Sequence, residues 1–388
     1  MANSNLSKAK NAKNDEFYTQ YNDIEKEMNA YLEYDPDVFR GKTILLPCDD
    51  PEWSNFTKFF AQNFERFGIK KLISTSYAPD SKNYKNSYQP SLFEINNPQF
   101  DKMKTVKNGK IFTLTHDKSG DGKVDVNDLE WHYLAGDGDF KSEEIKKLRD
   151  EADIIITNPP FSLFREFLVW VVQAGKQFVI IGNMNAITYK EVFPQIKNNK
   201  IWLGPSIKSG DREFQVPDEY PLDAAGWRID EDGRKFLRVK GVRWFTNLDH
   251  GRRHEPLPLM PMVDNLKFSK HKEIKGMPFY EKYENYDALE ISFTDAIPND
   301  YEGIMGVPIS FLDKFSPEQF EIMGMCENED LYQLKTKVYT SAQCKQAYLD
   351  KFGKKGTYDM NASGVVIRNG LLEKVYQRVL IKHKKAAK

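Results

Sequence analysis

Short apolar segments that alternate with helix-like segments are the feature that most restricts how this chain can fold. DIIIT at 153–157 is followed by the amphipathic segment SLFREFLVWVVQAG at 162–175 and then by QFVIIGN at 177–183. KTILLP at 42–47 and KIWLG at 200–204 extend the same rhythm towards both ends. Strands that alternate with helices in this way are typical of α/β domains with parallel strands. The sequence therefore predicts a doubly wound, Rossmann-like α/β sheet.

Polar and aromatic residues follow the predicted strands at the points where the strands end. Ligands of doubly wound sheets bind outside the carboxyl ends of the strands, so we expect these loops to line one crevice. The loops are PCDDPEW (47–53), STSYAPD (74–80), GDGDF (136–140), TNPPF (157–161) and GNMN (182–185). Beyond about residue 250 the rhythm gives way to Pro-rich and Tyr-rich segments, and we expect a domain boundary there.

The loop after the strand at 154–157 carries the clearest chemical signal. Pro159 and Pro160 cannot donate to a sheet ladder, so they end the strand and hold Asn158 at its tip. The Asn158 side-chain carbonyl and the Pro159 backbone carbonyl can accept the two hydrogens of an exocyclic amino group, and Phe161 offers an aromatic face. We interpret the loop as a pocket for a flat heterocycle that bears an amino group. A plain Asn-Pro turn at a strand end is the alternative.

These residues resemble the catalytic motif of adenine-N6 DNA methyltransferases, and the wider chain resembles the EcoRI-type subgroup. The resembling stretches are DEFYTQYNDIE (15–25), CDDPEWSNF (48–56), GDGDF (136–140), TNPPFSLFREF (157–167), IIGNMNAITYKEVF (180–193), IWLG (201–204), WFTNLD (244–249) and GVPISFLDKFSPEQF (306–320). The resemblance implies a catalytic methyltransferase domain over 1–250 that binds S-adenosylmethionine. It also implies a DNA target-recognition region over 251–388, with a basic C-terminal segment.

The resemblance further implies roles for individual residues. Asn158, Pro159, Pro160 and Phe161 correspond to the catalytic motif, which grips the amino group of an adenine flipped out of the duplex. In addition to Asn158, four groups of residues are expected to bind the methyl donor. Phe17, Tyr18 and Thr19 close over its methionine part, and in the loop Cys48, Asp49, Asp50 and Pro51 either Asp49 or Asp50 binds its ammonium group. Tyr77 or Asp80 binds its ribose, and Asp139 and Phe140 bind its adenine. For Asp137 and Asp139, a tight Asp-Gly turn is the alternative.

Two other functions stay open at this point. An NPPF strand end also serves methylation of other planar amino or amide groups, including RNA adenine and protein glutamine. A DNA-binding protein without activity is the second alternative, because the first loop lacks the usual glycines and the second lacks the usual ribose acid.

The segment DKSGDGKVDVND at 117–128 resembles an EF-hand calcium loop. The ligand positions are occupied by Asp117, Ser119, Asp121, the Lys123 carbonyl, Asp125 and Asp128. The last ligand is Asp instead of Glu, and the preceding segment is strand-like. An Asp/Gly-rich hairpin turn is therefore the alternative to a structural calcium site.

The charge of the chain is distributed unevenly, although its net charge is only −1. Residues 331–388 hold 13 Lys and Arg against 3 Asp and Glu, and Lys8, Lys10 and Lys13 form a second basic stretch. Segregated positive charge fits contact with the DNA backbone, with a solvated tail as the alternative. Three cysteines without CxxC spacing and no signal-like or membrane-spanning run predict a cytoplasmic protein. A restriction endonuclease partner is left open by the sequence.

Overall fold

The computed structural model describes residues 17–51, 54–78, 95, 98–208, 211–216 and 226–384. They divide into two compact units, the described parts of Met1–Ile196 with Lys200–Gly251, and of Lys197–Asn199 with Arg252–Lys388. The basic residues Lys8, Lys10 and Lys13 and the candidate ribose ligand Asp80 lie outside the described residues.

Short helices and strands alternate along most of the described chain. The helices are α1 (Tyr21–Tyr34), α2 (Asn55–Gln62), α3 (Lys102–Lys107), α4 (Glu143–Glu151), α5 (Phe164–Gln173), α6 (Phe193–Lys197), α7 (Met262–Phe268) and α8 (Ser341–Phe352). The strands are β1 (Thr43–Leu46), β2 (Lys71–Ser76), β3 (Lys110–Leu114), β4 (Glu130–Tyr133), β5 (Ile154–Thr157), β6 (Gln177–Asn183), β7 (Trp202–Leu203), β8 (Asp211–Val216), β9 (Trp227–Ile229), β10 (Lys235–Lys240), β11 (Val242–Thr246), β12 (Ala288–Glu290), β13 (Ile304–Pro308), β14 (Phe320–Met325), β15 (Val365–Arg368), β16 (Leu371–Lys374) and β17 (Arg378–His383). The strands predicted at 42–47, 153–157, 177–183 and 200–204 are confirmed as β1, β5, β6 and β7.

An eight-stranded sheet forms the centre of the first unit, in the order β4-β3-β2-β1-β5-β6-β11-β7. The four neighbours β2, β1, β5 and β6 are parallel. β3 and β4 pair antiparallel at one edge, and β11 is antiparallel to both β6 and β7. The α/β fold is therefore confirmed as a large mixed sheet, of which only the centre is parallel. β3 and β4 are joined directly by residues 115–129 without a crossover helix, which is why they form an antiparallel pair.

Every residue of β1 and β5 is buried, since these central strands are covered on both faces. α2 begins at Ser54, whose hydroxyl accepts a hydrogen bond from the backbone N–H of Phe56 at 3.1 Å. This helix ends at Gln62. The Asn63 N–H still donates to the Phe59 carbonyl at 3.2 Å, but the next N–H, that of Phe64, donates to the Ala61 carbonyl three residues back, so the chain tightens into a turn.

A smaller antiparallel sheet, in the order β8-β10-β9, lies between β7 and β11 in the sequence. Its apolar face joins the core of the large sheet through four buried side chains, Phe214, Val216, Leu237 and Val239. The alternation of burial along β10 follows the two-residue period of a strand with one face on a core. This sheet was not expected from the sequence.

The second unit has its own sheet and core. Its four strands lie in the order β12-β13-β17-β14, and β15 and β16 form a separate hairpin around Asn369 and Gly370, both with positive φ. Arg378 and Glu290 form a buried ion pair, with Arg378 Nη2 2.6 Å from Glu290 Oε1. Among the described residues, no helix is long and apolar enough to cross a membrane. The assignment of catalysis to 1–250 and target recognition to 251–388 stays a prediction.

Candidate active site

The carboxyl ends of β1 and β5 lie side by side. The two strands are parallel neighbours, yet the chain passes through β2, on the other side of β1, before it returns to form β5. A crevice opens at such a switch point in strand order. The Thr157 hydroxyl joins the two strand ends, because it lies 2.7 Å from the Pro47 carbonyl oxygen and 2.6 Å from Asp49 Oδ2.

Cys48 begins the first loop in a conformation that glycine usually provides. Its φ is +67°, in the left-handed region that costs a residue with a Cβ about 1 kcal/mol. The Cys48 N–H donates to the Thr75 hydroxyl at 3.3 Å, which links this loop to the end of β2. Cys48 therefore forms the tight turn for which related loops use glycine.

Asp49 is buried, and both of its carboxyl oxygens contact hydroxyl groups of the protein. The Ser54 hydroxyl lies 2.7 Å from Oδ1, and the Thr157 hydroxyl 2.6 Å from Oδ2. Burial raises the pKa of Asp49 to about 7. The geometry also fits a protonated Asp49. The Thr157 hydroxyl has one hydrogen, which it can donate to the Pro47 carbonyl, and a proton on Asp49 Oδ2 would then be donated to the Thr157 oxygen. Asp50, by contrast, is half-buried at the end of the same loop.

Residues of two loops, those after β2 and β4, meet at the carboxyl end of β2. Burial, followed by the nearby carboxylates of Asp139 and Asp137, raises the pKa of the Tyr77 phenol, which is also hydrogen-bonded to the Asp139 side chain. Gly138 has φ +90°, and a Cβ there would lie only 2.4 Å from the Ser76 carbonyl oxygen. Glycine is therefore required where the loop after β4 packs on the end of β2.

Phe140, which the sequence assigns to the donor's adenine, is only 2% exposed. Its ring packs edge-on against the rings of Phe167 and Trp170, with centroid distances of 5.2 and 5.5 Å. Phe140 also lines a groove of about 490 Å³ on the side of α5, shared with Lys141, Lys146, Arg165, Glu166, Val169, Trp170, Gln173 and Glu191. An aromatic wall is thus present beside Asp139.

Asn158 is held in one orientation at the tip of β5. Its Nδ2 donates to the Phe17 carbonyl at 2.6 Å, which identifies the other end of the amide as the oxygen. That Oδ1 atom is buried and has no hydrogen-bond partner among the described residues, and the same is true of the Thr19 hydroxyl. A buried acceptor without a donor costs free energy, so this site is suited to a ligand that brings N–H groups.

The rings of Phe17, Phe161 and Phe214 pack on one another close to Asn158. Phe161 lies 5.5 Å from Phe17 and 6.0 Å from Phe214, measured between ring centroids. A pair of backbone hydrogen bonds between Tyr18 and Gln215, at 2.8 and 3.1 Å, ties the N-terminal segment to β8. Sequence reasoning missed Phe214 and Gln215, because β8 carries no motif and meets the loop 157–161 and the N-terminal segment only through folding.

Pro159 and Pro160 act as their sequence position suggests. β5 ends at Thr157, directly before Asn158 and the two prolines, and the Pro160 carbonyl accepts a hydrogen bond from the Leu163 N–H at 2.8 Å in a short 3₁₀ turn. None of the described residues donates a hydrogen bond to the Pro159 carbonyl. Two acceptors, Asn158 Oδ1 and Pro159 O, are therefore available in the same loop.

The structure does not support the calcium site expected at 117–128. The Asp117 carboxylate accepts hydrogen bonds from the Gly120 and Gly122 N–H groups at 2.6 and 2.8 Å. Asp128 accepts three more, and these backbone hydrogen bonds lower its pKa. Its donors are the N–H groups of Lys118, Ser119 and Asp125, at 3.0, 2.8 and 3.0 Å. The other expected ligands, Ser119, Asp121, Lys123 and Asp125, form the turns of this connection, and no group of three or more His, Cys, Asp or Glu among the described residues could hold a metal.

Comparisons with known proteins give a consistent result. A family model described as adenine-specific methyltransferase EcoRI matches residues 5–384. The Type II methyltransferase M.EcoRI of Escherichia coli is 43% identical over 325 residues, which are 84% of this chain and 90% of that protein. The Type II methyltransferase M.MpnI of Mycoplasma pneumoniae is 34% identical over 338 residues, 86% of this chain and 90% of that protein.

A third relative, the Type II methyltransferase M.MgeORF184P of Mycoplasma genitalium, is 33% identical over 326 residues, 83% of this chain and 86% of that protein. No solved structure gives a significant match. The resemblance found in the sequence is therefore confirmed along nearly the whole chain. The chain belongs to the EcoRI family of adenine-specific methyltransferases.

Proposed function

We propose that this adenine-specific DNA methyltransferase modifies N6 of an adenine flipped out of duplex DNA, at the carboxyl end of β5. The observation that carries the proposal is the buried Oδ1 of Asn158, which has no partner among the described residues. The exocyclic amino group of adenine supplies two N–H donors, which match Asn158 Oδ1 and the Pro159 carbonyl. Binding the amino group through its hydrogens leaves the nitrogen lone pair free to attack.

The neighbouring residues fit the remaining needs of the reaction. Phe161 offers a ring face for the extruded base, whose removal from the stack costs a few kcal/mol. The Phe17 backbone carbonyl accepts a hydrogen bond from Asn158 Nδ2 and so keeps the amide oxygen of Asn158 directed to the pocket. Phe17, Tyr18 and Thr19 act together as the segment that closes the site, since Tyr18 is hydrogen-bonded to Gln215. Catalysis then depends on position and electrostatics, and no cysteine nucleophile is needed.

S-adenosylmethionine is the methyl donor of this family, and its sulfonium group supplies the electrophilic methyl. We assign its site to the loops after β1, β2 and β4, at the switch point of the sheet. Tyr77 and Asp139 offer polar groups for its ribose and adenine, with Phe140 as the aromatic wall. We assign the ammonium group to Asp50, because Asp49 is buried and its oxygens already contact Ser54 and Thr157.

The second unit is proposed to recognise the DNA target. Support comes from its basic segment 331–388, in which the described residues Lys345, Lys354 and Lys355 are exposed. Lysines of this kind position a DNA backbone without reading its sequence. The relatives are named Type II methyltransferases, which favours a restriction–modification setting for this chain too.

The proposal can be tested by methyl transfer from tritiated S-adenosylmethionine to duplex DNA, RNA and protein in parallel. We expect label in duplex DNA alone, as N6-methyladenine at one sequence context that sequencing of DNA from expressing cells identifies. Label in RNA or in glutamine would support the other substrates, and DNA binding without label would indicate a non-enzymatic protein. A duplex with 2-aminopurine at the target position should gain fluorescence on binding, because flipping removes the base from its stack.

A further inference from the structure

Residues 262–279 expose an unusual combination of apolar and cationic side chains in the second unit. Phe268 and Phe279 are 60% and 66% exposed, and Met277 is 40% exposed. Lys267, Lys272 and Lys275 are exposed among them. We name these six side chains the Lys/Phe surface, which comprises Lys267, Phe268, Lys272, Lys275, Met277 and Phe279. It lies outside the basic segment 331–388, so the charge distribution did not reveal it.

Backbone hydrogen bonds bring the two parts of this surface together. The Gly276 N–H donates to the Leu266 carbonyl at 2.8 Å, which folds the turn after α7 back onto the end of that helix. The turn itself is closed by the hydrogen bond from the Lys275 N–H to the His271 carbonyl at 2.9 Å. Lys275 and Met277 flank Gly276, and Gly276 is hydrogen-bonded to Leu266 in α7. The two residues are therefore held near Lys267 and Phe268, which follow Leu266 in the same helix.

Ring stacking, hydrogen bonds and buried side chains hold the turn in place. The His271 ring is stacked on Phe293 with centroids 3.7 Å apart, and its Nε2 lies 2.7 Å from Asp295 Oδ1. Ile274 is 7% exposed, and the buried Tyr280 donates its hydroxyl to the Ala296 carbonyl at 2.8 Å. The exposed phenylalanines are thus presented on an ordered support, which lowers the entropic cost of binding through them.

The cations of the surface are available to a ligand. Lys270 pairs with Asp295 at 2.7 Å, but Lys272 and Lys275 form no ion pair with any residue that the structure describes. Lys267 Nζ lies 5.0 Å from the Phe268 ring centroid, which keeps an ammonium group beside an aromatic face. A ligand for this surface must therefore combine negative charge with flat or apolar groups.

We propose that the Lys/Phe surface is a DNA contact, in which the lysines bind phosphates and Phe268, Met277 and Phe279 pack on sugars or bases. DNA offers both chemistries within a few ångströms, and apolar wedges beside basic side chains are a common way to grip it. Lysine is depleted in protein–protein interfaces, which argues against a protein partner. α7 has 7 residues, too few for an amphipathic membrane-surface helix. The inference rests on the proposed function, since it concerns the same DNA substrate.

The test compares full-length variants for binding to a fluorescein-labelled duplex of mixed sequence at several salt concentrations. In the triple variant Lys267→Gln, Lys272→Gln and Lys275→Gln, we expect weaker binding and a log–log salt slope smaller by about 2 to 3, because each phosphate contact contributes about 0.9. The double variant Phe268→Ser and Phe279→Ser should bind roughly tenfold more weakly with an unchanged slope, since stacking or apolar contact releases few ions.

Matched controls come from α3 in the first unit. Lys102→Gln, Lys104→Gln and Lys107→Gln change the charge by the same amount, and Met103→Ser removes an apolar side chain that is 65% exposed. Equal losses in the controls, or unchanged binding in the Lys/Phe variants, would overturn the proposal. A Phe-dependent change in sedimentation without DNA, or in binding to anionic vesicles, would also overturn it by identifying a protein or lipid contact. Methyl transfer by the wild-type protein is measured separately, so failure of this inference is distinct from failure of the proposed function.

Discussion

The loops 157–161 and 117–128 both carry recognisable polar motifs, but their polar atoms are satisfied differently. In the first, Asn158 Oδ1 is buried without a partner among the described residues. In the second, Asp117 and Asp128 together accept hydrogen bonds from five backbone N–H groups. A folded chain tolerates an unsatisfied buried acceptor at a cost, whereas a satisfied carboxylate stabilises its own turn. The difference supports our proposal that the loop 157–161 binds a ligand, whereas the polar atoms of 117–128 stabilise the turn itself.

The largest effect is expected from a substitution of Asn158. Replacing Asn158 with Ala removes the acceptor of the first loop, and we expect the single-turnover methylation rate to fall by about 10³-fold or more. Binding to DNA should change by only a few-fold, because phosphate contacts supply most of that affinity. Asn158→Asp keeps an acceptor of the same size but loses the Nδ2 donor to the Phe17 carbonyl, so it should keep more activity than the alanine variant and less than the wild type. A rate near that of the wild type in Asn158→Ala would refute the catalytic role.

Asp128→Ala tests the second loop, where we expect lost stability instead of lost chemistry. Three backbone N–H groups lose their acceptor, so the free energy of unfolding should fall by roughly 2 to 3 kcal/mol. Urea denaturation measures this change, and methylation at low temperature should be retained. Asp121→Ala is the milder control, because the Asp121 carboxylate accepts a hydrogen bond from one backbone N–H group of this turn, that of Lys123 at 2.9 Å, where Asp128 accepts three. A melting temperature that rises with calcium or falls with a chelator would contradict the structural role.

Asp49 shows how a satisfied carboxyl can still respond to pH beside the catalytic loop. Its folded pKa of about 7 exceeds the ordinary Asp pKa of 3.8, so its contribution to stability is fully present below pH 3.8 and is lost as pH rises through about 7. Between pH 5.5 and pH 8 the wild type should lose about 2 kcal/mol more than Asp49→Asn in urea denaturation. Equal losses in the two proteins would show that Asp49 ionises normally.

The smallest effect is expected on the donor side, at Tyr77. Tyr77→Phe removes the hydrogen bond to the Asp139 side chain but keeps the ring. We expect KM for S-adenosylmethionine to rise several-fold while kcat stays within about twofold, because one neutral contact contributes about 1 kcal/mol. Steady-state kinetics at saturating DNA measure both constants. An unchanged KM would place the donor ribose away from Tyr77.

Much of the central sheet could be predicted because its strands are short, apolar and fully buried. The same local pattern located Asn158, since two prolines end β5 at a defined point. Sequence alone did not reveal the antiparallel β3–β4 pair, because strand direction depends on the connection and not on the strand itself. It also could not show that Phe214 meets Phe161, because the two residues are 53 positions apart and only tertiary packing joins them.

The two acids after β1 illustrate the limit for site residues. Asp49 and Asp50 are equivalent in the sequence, and the difference between them arises from the hydroxyl groups of Ser54 and Thr157. Thr157 was recognised as part of the TNPPF motif, but its side-chain partners lie more than 100 positions away. Local sequence signals identify which chemistry a loop offers, whereas the fold decides which atoms remain free for it.

The connection between β3 and β4 is a suitable place to attach a label or a second domain to this enzyme. β3 runs antiparallel to β2, with Leu114 paired to Leu72, so residues 115–129 emerge at the amino ends of the parallel strands, opposite the end at which the loop 157–161 lies. The turn at Gly120 and Asp121 is exposed and lies between the anchoring carboxylates. A fluorophore or a fused domain inserted there would be attached at the end of the sheet opposite the proposed base pocket in the loop 157–161.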